Sequence, residues 1–161
     1  MMSKLEEKLA SMGYTLPEPF TYPSPNRRGC VQVGTILFVS GHGRNLPEGV
    51  KSDGAGKVGV EVTLEEAYES AKHTALSMLA SLKAHCGGDL DKVKRVVRIV
   101  GMVNCAPDFE LQPRVIDGAS DLLYELFGPE YGCHARSAVG MGSLPHRMPV
   151  EINGEFELWK E

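Results

Sequence analysis

Residues 150–158 read Val150-Glu151-Ile152-Asn153-Gly154-Glu155-Phe156-Glu157-Leu158, and the apolar members Val150, Ile152, Phe156 and Leu158 alternate with Glu151, Asn153, Glu155 and Glu157. A period of two places one set on a buried face and the other on a polar face, so this segment is a β-strand that lines a core on one side. Upstream, Arg136 to Leu144 reads as a second strand, making a hairpin-like pair with the last. Val96 to Val103 is a dense β-branched run of the kind found in strands covered on both faces. Nearer the start, Cys30-Val31-Gln32-Val33 and Ile36-Leu37-Phe38-Val39 flank the turn-compatible Gly34-Thr35, which predicts a hairpin.

The helices announce themselves through caps. Ser3-Lys4-Leu5-Glu6 and Thr63-Leu64-Glu65-Glu66 are capping boxes, in which the hydroxyl and carboxylate satisfy backbone N–H groups at a helix start. The first opens a short helix that Gly13 stops. After the second, Leu64, Tyr68, Ala71, Ala75, Leu79 and Leu82 recur at steps of three and four, predicting an amphipathic helix to about His85 that ends at Gly87-Gly88. Another helix starts near Pro113, carries Val115, Ala119, Leu122, Leu126 and Phe127 on one side, and stops at Gly128-Pro129. Gly118 within it costs about 1 kcal/mol against alanine, so close packing on another backbone is expected there.

These elements make one α+β domain over residues 1–161, with a mixed sheet and two long helices packed on one face, plus a short N-terminal helix. Residues 16–29, with Pro17, Pro19, Pro23 and Pro25, form an extended surface passage. One layer of helices leaves the second sheet face open, and other subunits are its natural cover. Residues 41–62 are glycine-rich and read as a loop, with a short strand near Val58 to Val62.

Composition narrows the function. Of 161 residues, 42% are hydrophobic and 24% charged, and 17 Lys and Arg against 21 Asp and Glu give a net charge of -4. That balance offers no cationic field for a nucleic-acid backbone. No apolar run reaches the ~20 residues of a membrane span, and the N-terminus lacks a secretory pattern. Cys30, Cys86, Cys105 and Cys133 lie far apart, which fits free thiols in a reducing, cytoplasmic setting.

Most motifs weaken on inspection. Gly54-Ala55-Gly56-Lys57-Val58-Gly59 has the letters of a dinucleotide fingerprint without a strand before it or a helix directly after it, and reads as a flexible surface loop. The five histidines show no zinc spacing, and no G-x-S-x-G elbow is present. Arg136 is different in kind, because it enters an apolar strand between Ala135 and Ser137, where a guanidinium needs a partner. That partner is either a small anionic ligand or Glu151 near the start of the next strand, as an ion pair that orders one end of the sheet.

At these residues the chain resembles the reactive intermediate deaminase family, also called RidA or YjgF. Val33-Gly34 with Phe38-Val39-Ser40-Gly41-His42 resembles one family segment, with His42 in place of the usual glutamine. Ala135-Arg136-Ser137, Leu144-Pro145 and Val150-Glu151-Ile152 resemble the more specific block, with its spacing kept. The resemblance implies a chorismate-mutase-like fold, a homotrimer with clefts between subunits, and cofactor-independent hydrolysis of a small enamine or imine carboxylate to a 2-keto acid and ammonia. It implies that Arg136 clamps the substrate carboxylate, that Glu151 holds or activates water, and that Ser40 and Gly41 line the pocket; Ser137, Arg27 and His42 are further candidates. No metal or organic cofactor, nucleic acid or membrane partner is implied.

Three departures mark a divergent subgroup. Arg27 stands where a tyrosine is common, Ala138 where a cysteine is common, and the stretch from Asn104 to Asp117 is longer than in short members, leaving Asp117 or Ser120 as candidates for a helix-borne asparagine. Two alternatives therefore accompany the deaminase: a non-catalytic trimer that binds a metabolite or a protein, and an endoribonuclease or translation inhibitor.

Overall fold

The structure, a computed structural model, describes residues 1–44 and 54–160. In chain order its main elements are α1 (Lys4–Ser11), β1 (Cys30–Val33), β2 (Ile36–His42), α2 (Leu64–His85), β3 (Val93–Asn104), α3 (Gln112–Tyr131), β4 (Ala135–Met141) and β5 (Val150–Leu158). Both capping boxes form, with Ser3 and Thr63 accepting from the Glu6 and Glu66 backbone N–H groups. Gly87 and Gly88 take the left-handed conformation past the end of α2, which a β-carbon would resist.

The strands form one sheet in the order β1-β2-β5-β3-β4, antiparallel throughout except between β3 and β4. A parallel pair needs a crossover, and α3 supplies it. The expected hairpin-like pair of the last two strands is therefore corrected: β3 lies between β4 and β5. Alternation along β5 reveals its buried face but not its neighbours, and the crossover through α3 returns the chain to the sheet's edge instead. The strand expected over Arg136 to Leu144 also ends early, at Met141. Pro145, lacking an N–H for the ladder, opens a 3-10 turn in which His146 and Arg147 adopt φ of 55° and 57°.

Leu37, Val39, Val96, Ile99, Val103, Val150, Ile152 and Phe156 point from the sheet into the layer of α2 and α3, and all are buried. Gly118 of α3 packs on α2 so closely that a β-carbon would strike the Tyr68 carbonyl oxygen, as its place in the sequence predicts. Within the single chain β3 is covered on that face, and the opposite face of the sheet carries the exposed Val31, Val33, Phe38 and Val139.

The expected loop over 41–62 falls partly on residues 45–53, outside the described residues. The glycine-rich part beyond them is not a loose surface loop. Val58 is fully buried and bridges both Val62 and Cys105, and the Lys57 ammonium donates to Asn104 Oδ1 at 2.9 Å and to the Gly142 carbonyl. No helix follows it until Leu64, so it lacks the terminus on which a pyrophosphate would rest.

Candidate functional site

The sequence-predicted site residues separate into two clusters, one on each face of the sheet. The first grows from a β-bulge. Val39 pairs with Gly154 and His42 with Ile152, leaving Ser40 and Gly41 opposite the single residue Asn153. The bulge turns both residues out of the ladder. The Ser40 hydroxyl donates to the Arg28 carbonyl at 2.5 Å, and the Tyr22 hydroxyl lies beside its side chain. The Arg27 guanidinium lies 5.4 Å from the centre of the Tyr22 ring.

Gly41 makes room for Glu151, since a β-carbon on it would sit 3.1 Å from the Glu151 carboxyl carbon. Glu151 is half-buried, and loss of solvent raises its pKa above the usual glutamate value. Among the described residues no cation forms a salt bridge with it. His42 closes this cluster from beneath. It is buried, its Nδ1 lies 2.6 Å from the Ser40 carbonyl oxygen and its Nε2 lies 2.7 Å from Ser81 Oγ, and desolvation lowers its pKa.

The second cluster lies on the helix side of β4. Arg136 pairs in register with the buried Ile99 and so turns toward α3, where its Nη1 donates to Asp117 Oδ1 at 2.7 Å and to Ser120 Oγ at 3.1 Å. Asp117 and Ser120 are three apart on one helix and share a face. Ser120 in turn lies 3.0 Å from His134 Nε2, whose Nδ1 is 2.6 Å from the Gly132 carbonyl oxygen. Ser137, beside Arg136, is exposed on the opposite sheet face, paired with Val100.

The ion pair considered between Arg136 and Glu151 does not form. Glu151 alternates with the buried Val150 and Ile152 and so occupies the face opposite Arg136. The two also lie on β5 and β4 with β3 between, a separation of about 10 Å across the sheet, and their rows differ by three residues, about 10 Å along it. Arg136 takes Asp117 as its carboxylate because α3 is the element packed above it.

Three members of these clusters were not legible as site residues. Tyr22 sits in the proline-rich passage, and its contact with Ser40 depends on how that passage folds back over β2. Ser120 enters the sequence reading only as a candidate for the helix-borne asparagine, and His134 only as one of five histidines without zinc spacing. The spacing of Asp117 and Ser120 was the available signal, because residues three apart on a helix can share one partner. No group of three or more potential metal ligands gathers among the described residues, and the four thiols are free.

Known proteins resemble the chain closely. The profile of the family described as "YjgF/chorismate mutase-like, putative endoribonuclease" matches residues 6–150. Protein TCP17 of Trypanosoma cruzi is 38% identical over 156 residues, covering 96% of this chain and 94% of its own length. The crystal structure of Atu1372 from Agrobacterium tumefaciens superposes with a TM-score of 0.86 at 37% identity, over 96% of this chain and 92% of that one. A structure from Shewanella oneidensis MR-1, titled a "putative endoribonuclease", gives 0.86 at 31% identity over 96% and 99%. With a sheet, helix layer and sequence shared over nearly their whole length with these relatives, the chain belongs to the YjgF/chorismate mutase-like family.

Proposed function

We infer that the chain is a cofactor-independent deaminase that hydrolyses a small imine or enamine carboxylate to a 2-keto acid and ammonia, in clefts between the subunits of a homotrimer. One observation carries the reading. Asp117 and Ser120 both engage Nη1 of Arg136, so the edge formed by Nε and Nη2 has no partner among the described residues. That edge is the one that receives a carboxylate through two parallel hydrogen bonds.

The first cluster, from a neighbouring chain, supplies the rest. With the carboxylate held by Arg136, the electrophilic C=N carbon faces a water held by Glu151. An enamine first tautomerises to the imine; the carboxylate of Glu151 then takes a proton as the water oxygen bonds to that carbon and returns it to the imine nitrogen, giving a carbinolamine. It next moves the carbinolamine hydroxyl proton to nitrogen as C=O forms, the C–N bond breaks and ammonia leaves. Desolvation raises the Glu151 pKa above that of a solvated glutamate, which makes it a stronger base for this exchange. Tyr22, Ser40, Gly41 and Arg27 wall the cleft on this side, His42 braces the bulge beneath, and Ser137 lines the sheet face. Opposite faces of one sheet cannot close on a molecule of a few atoms, so two chains are required.

The test is 2-keto acid and ammonia release from an imine generated in place by an amino-acid oxidase or dehydratase. Arg136→Ala should lower kcat/KM about 10- to 100-fold, the loss of one or two charge-assisted hydrogen bonds. Equal rates for the variant and the parent would contradict the reading. A second reading, a trimer that binds a 2-keto acid or a protein without turnover, draws on Asp117, which already compensates the Arg136 charge; calorimetric binding of pyruvate with no turnover would favour it. Relatives described as endoribonucleases raise a third, for which RNA cleavage by the purified protein is the check, against a net charge of -4.

A further inference from the structure

We propose that Ser120 and His134 form a directional hydrogen-bond relay that positions the Arg136 guanidinium for carboxylate binding. The inference rests on the reading of Arg136 given above. Its starting point is the Gly132 carbonyl oxygen, 2.6 Å from His134 Nδ1. A carbonyl only accepts, so Nδ1 carries the proton and donates it. In the neutral ring Nε2 is then a bare acceptor. Ser120 Oγ, 3.0 Å away, therefore directs its hydroxyl proton at Nε2 and presents its lone pairs to Arg136 Nη1 at 3.1 Å. The order from donor to acceptor is Arg136 to Ser120 to His134, with His134 closed on Gly132.

The anchor of this chain is rigid. Gly132 is buried at the end of α3, its N–H donates to the Gly128 carbonyl at 2.7 Å, and a β-carbon on it would lie 2.7 Å from both the Gly128 oxygen and the Tyr124 Cα. No larger residue fits there without moving α3. His134 and Arg136 are two apart at the entry to β4 and project to one side.

The relay matters because of where guanidinium protons point. Nη1 carries two protons in the guanidinium plane and meets two acceptors, Asp117 and Ser120. A single acceptor leaves the group free to tilt about that bond, whereas two in-plane acceptors fix the plane and the direction of the opposite edge. Asp117 supplies charge and one direction; Ser120, its proton committed to His134, supplies the second. Without His134 the Ser120 hydroxyl rotates, and its proton competes for Asp117. Ser120 and His134 are thus positioning residues, which act on the ligand only through Arg136.

The experiment uses the full-length assembled protein and pyruvate as the probe, by calorimetry, with steady-state deamination measured beside it. Ser120→Ala and His134→Ala should each weaken pyruvate about 3- to 10-fold and raise KM by the same factor with kcat within about twofold, as loss of one supporting hydrogen bond acting equally on ground and transition states requires. Ser120→Thr, which keeps the hydroxyl, should restore the parent affinity. Nitrogen-15 NMR of the unsubstituted protein should show the neutral form of His134 protonated at Nδ1. Parent-like pyruvate affinity in Ser120→Ala, with binding lost in Arg136→Ala, overturns the relay and leaves the proposed function standing; parent-like affinity in Arg136→Ala removes both. An Nε2-protonated His134 overturns the relay whatever the variants do.

Discussion

Glu151 and Gly41 show how much chemistry one missing side chain can permit. The Gly41 backbone is open enough for a carboxylate to lie against it, and the desolvation that results is what raises the Glu151 pKa. If Glu151 is the base, kcat/KM climbs with pH through a value above the ordinary glutamate range, and Glu151→Gln removes that limb of the profile. The same shift acts on stability with a definite sign. A carboxylate whose folded pKa exceeds its unfolded pKa is without cost below the unfolded value, and its desolvation penalty grows as pH rises until it is complete above the folded value. Glu151→Gln should therefore raise the denaturant midpoint at pH 7 and leave it nearly unchanged at pH 3. In Gly41→Ala the added methyl group must displace a flexible carboxylate, so turnover should fall about tenfold or more while the thermal midpoint moves by only a few degrees. Arg136 stood out in the sequence as a lone cation in an apolar strand, yet its partner did not. Which residues share its face depends on strand order and on the helix above, neither of which alternation reveals.

Elements were legible where their ends are chemically marked. The two capping boxes, the glycine pair after α2 and the unbroken alternation of β5 each tie a boundary to a local physical cause. Pairing was not legible, because inserting β5 between β2 and β3 is a choice among long-range contacts made by the whole core. Gly118 lies between these cases: a glycine in a helical pattern announced a close approach, and the structure supplies the Tyr68 carbonyl as its cause. Gly118→Ala must push α2 from α3 and should destabilise the fold by about 1–3 kcal/mol, read from urea denaturation. Its neighbours on the helix, Asp117 and Ser120, hold Arg136, so pyruvate affinity should fall with it. Unchanged stability would mean that the helices yield there more readily than close packing allows.

For the whole molecule, the central claim is that a working site needs two chains. Arg136 and Glu151 face away from each other on one sheet, and the face that bears Glu151 also carries Val31, Val33, Phe38 and Val139 exposed in the single chain. The proposed trimer buries that apolar surface against a second copy and requires one chain's carboxylate to lie within reach of another's guanidinium. Arg136→Ala and Glu151→Gln disable different halves of such a site, so the two variants should complement each other. The decisive measurement is deamination by trimers reassembled from an equal mixture of Arg136→Ala and Glu151→Gln chains. Sites built from the intact half of each should restore about a quarter of the parent activity, from two proteins that are nearly inactive alone. Mixed trimers no more active than either variant would contradict the shared site.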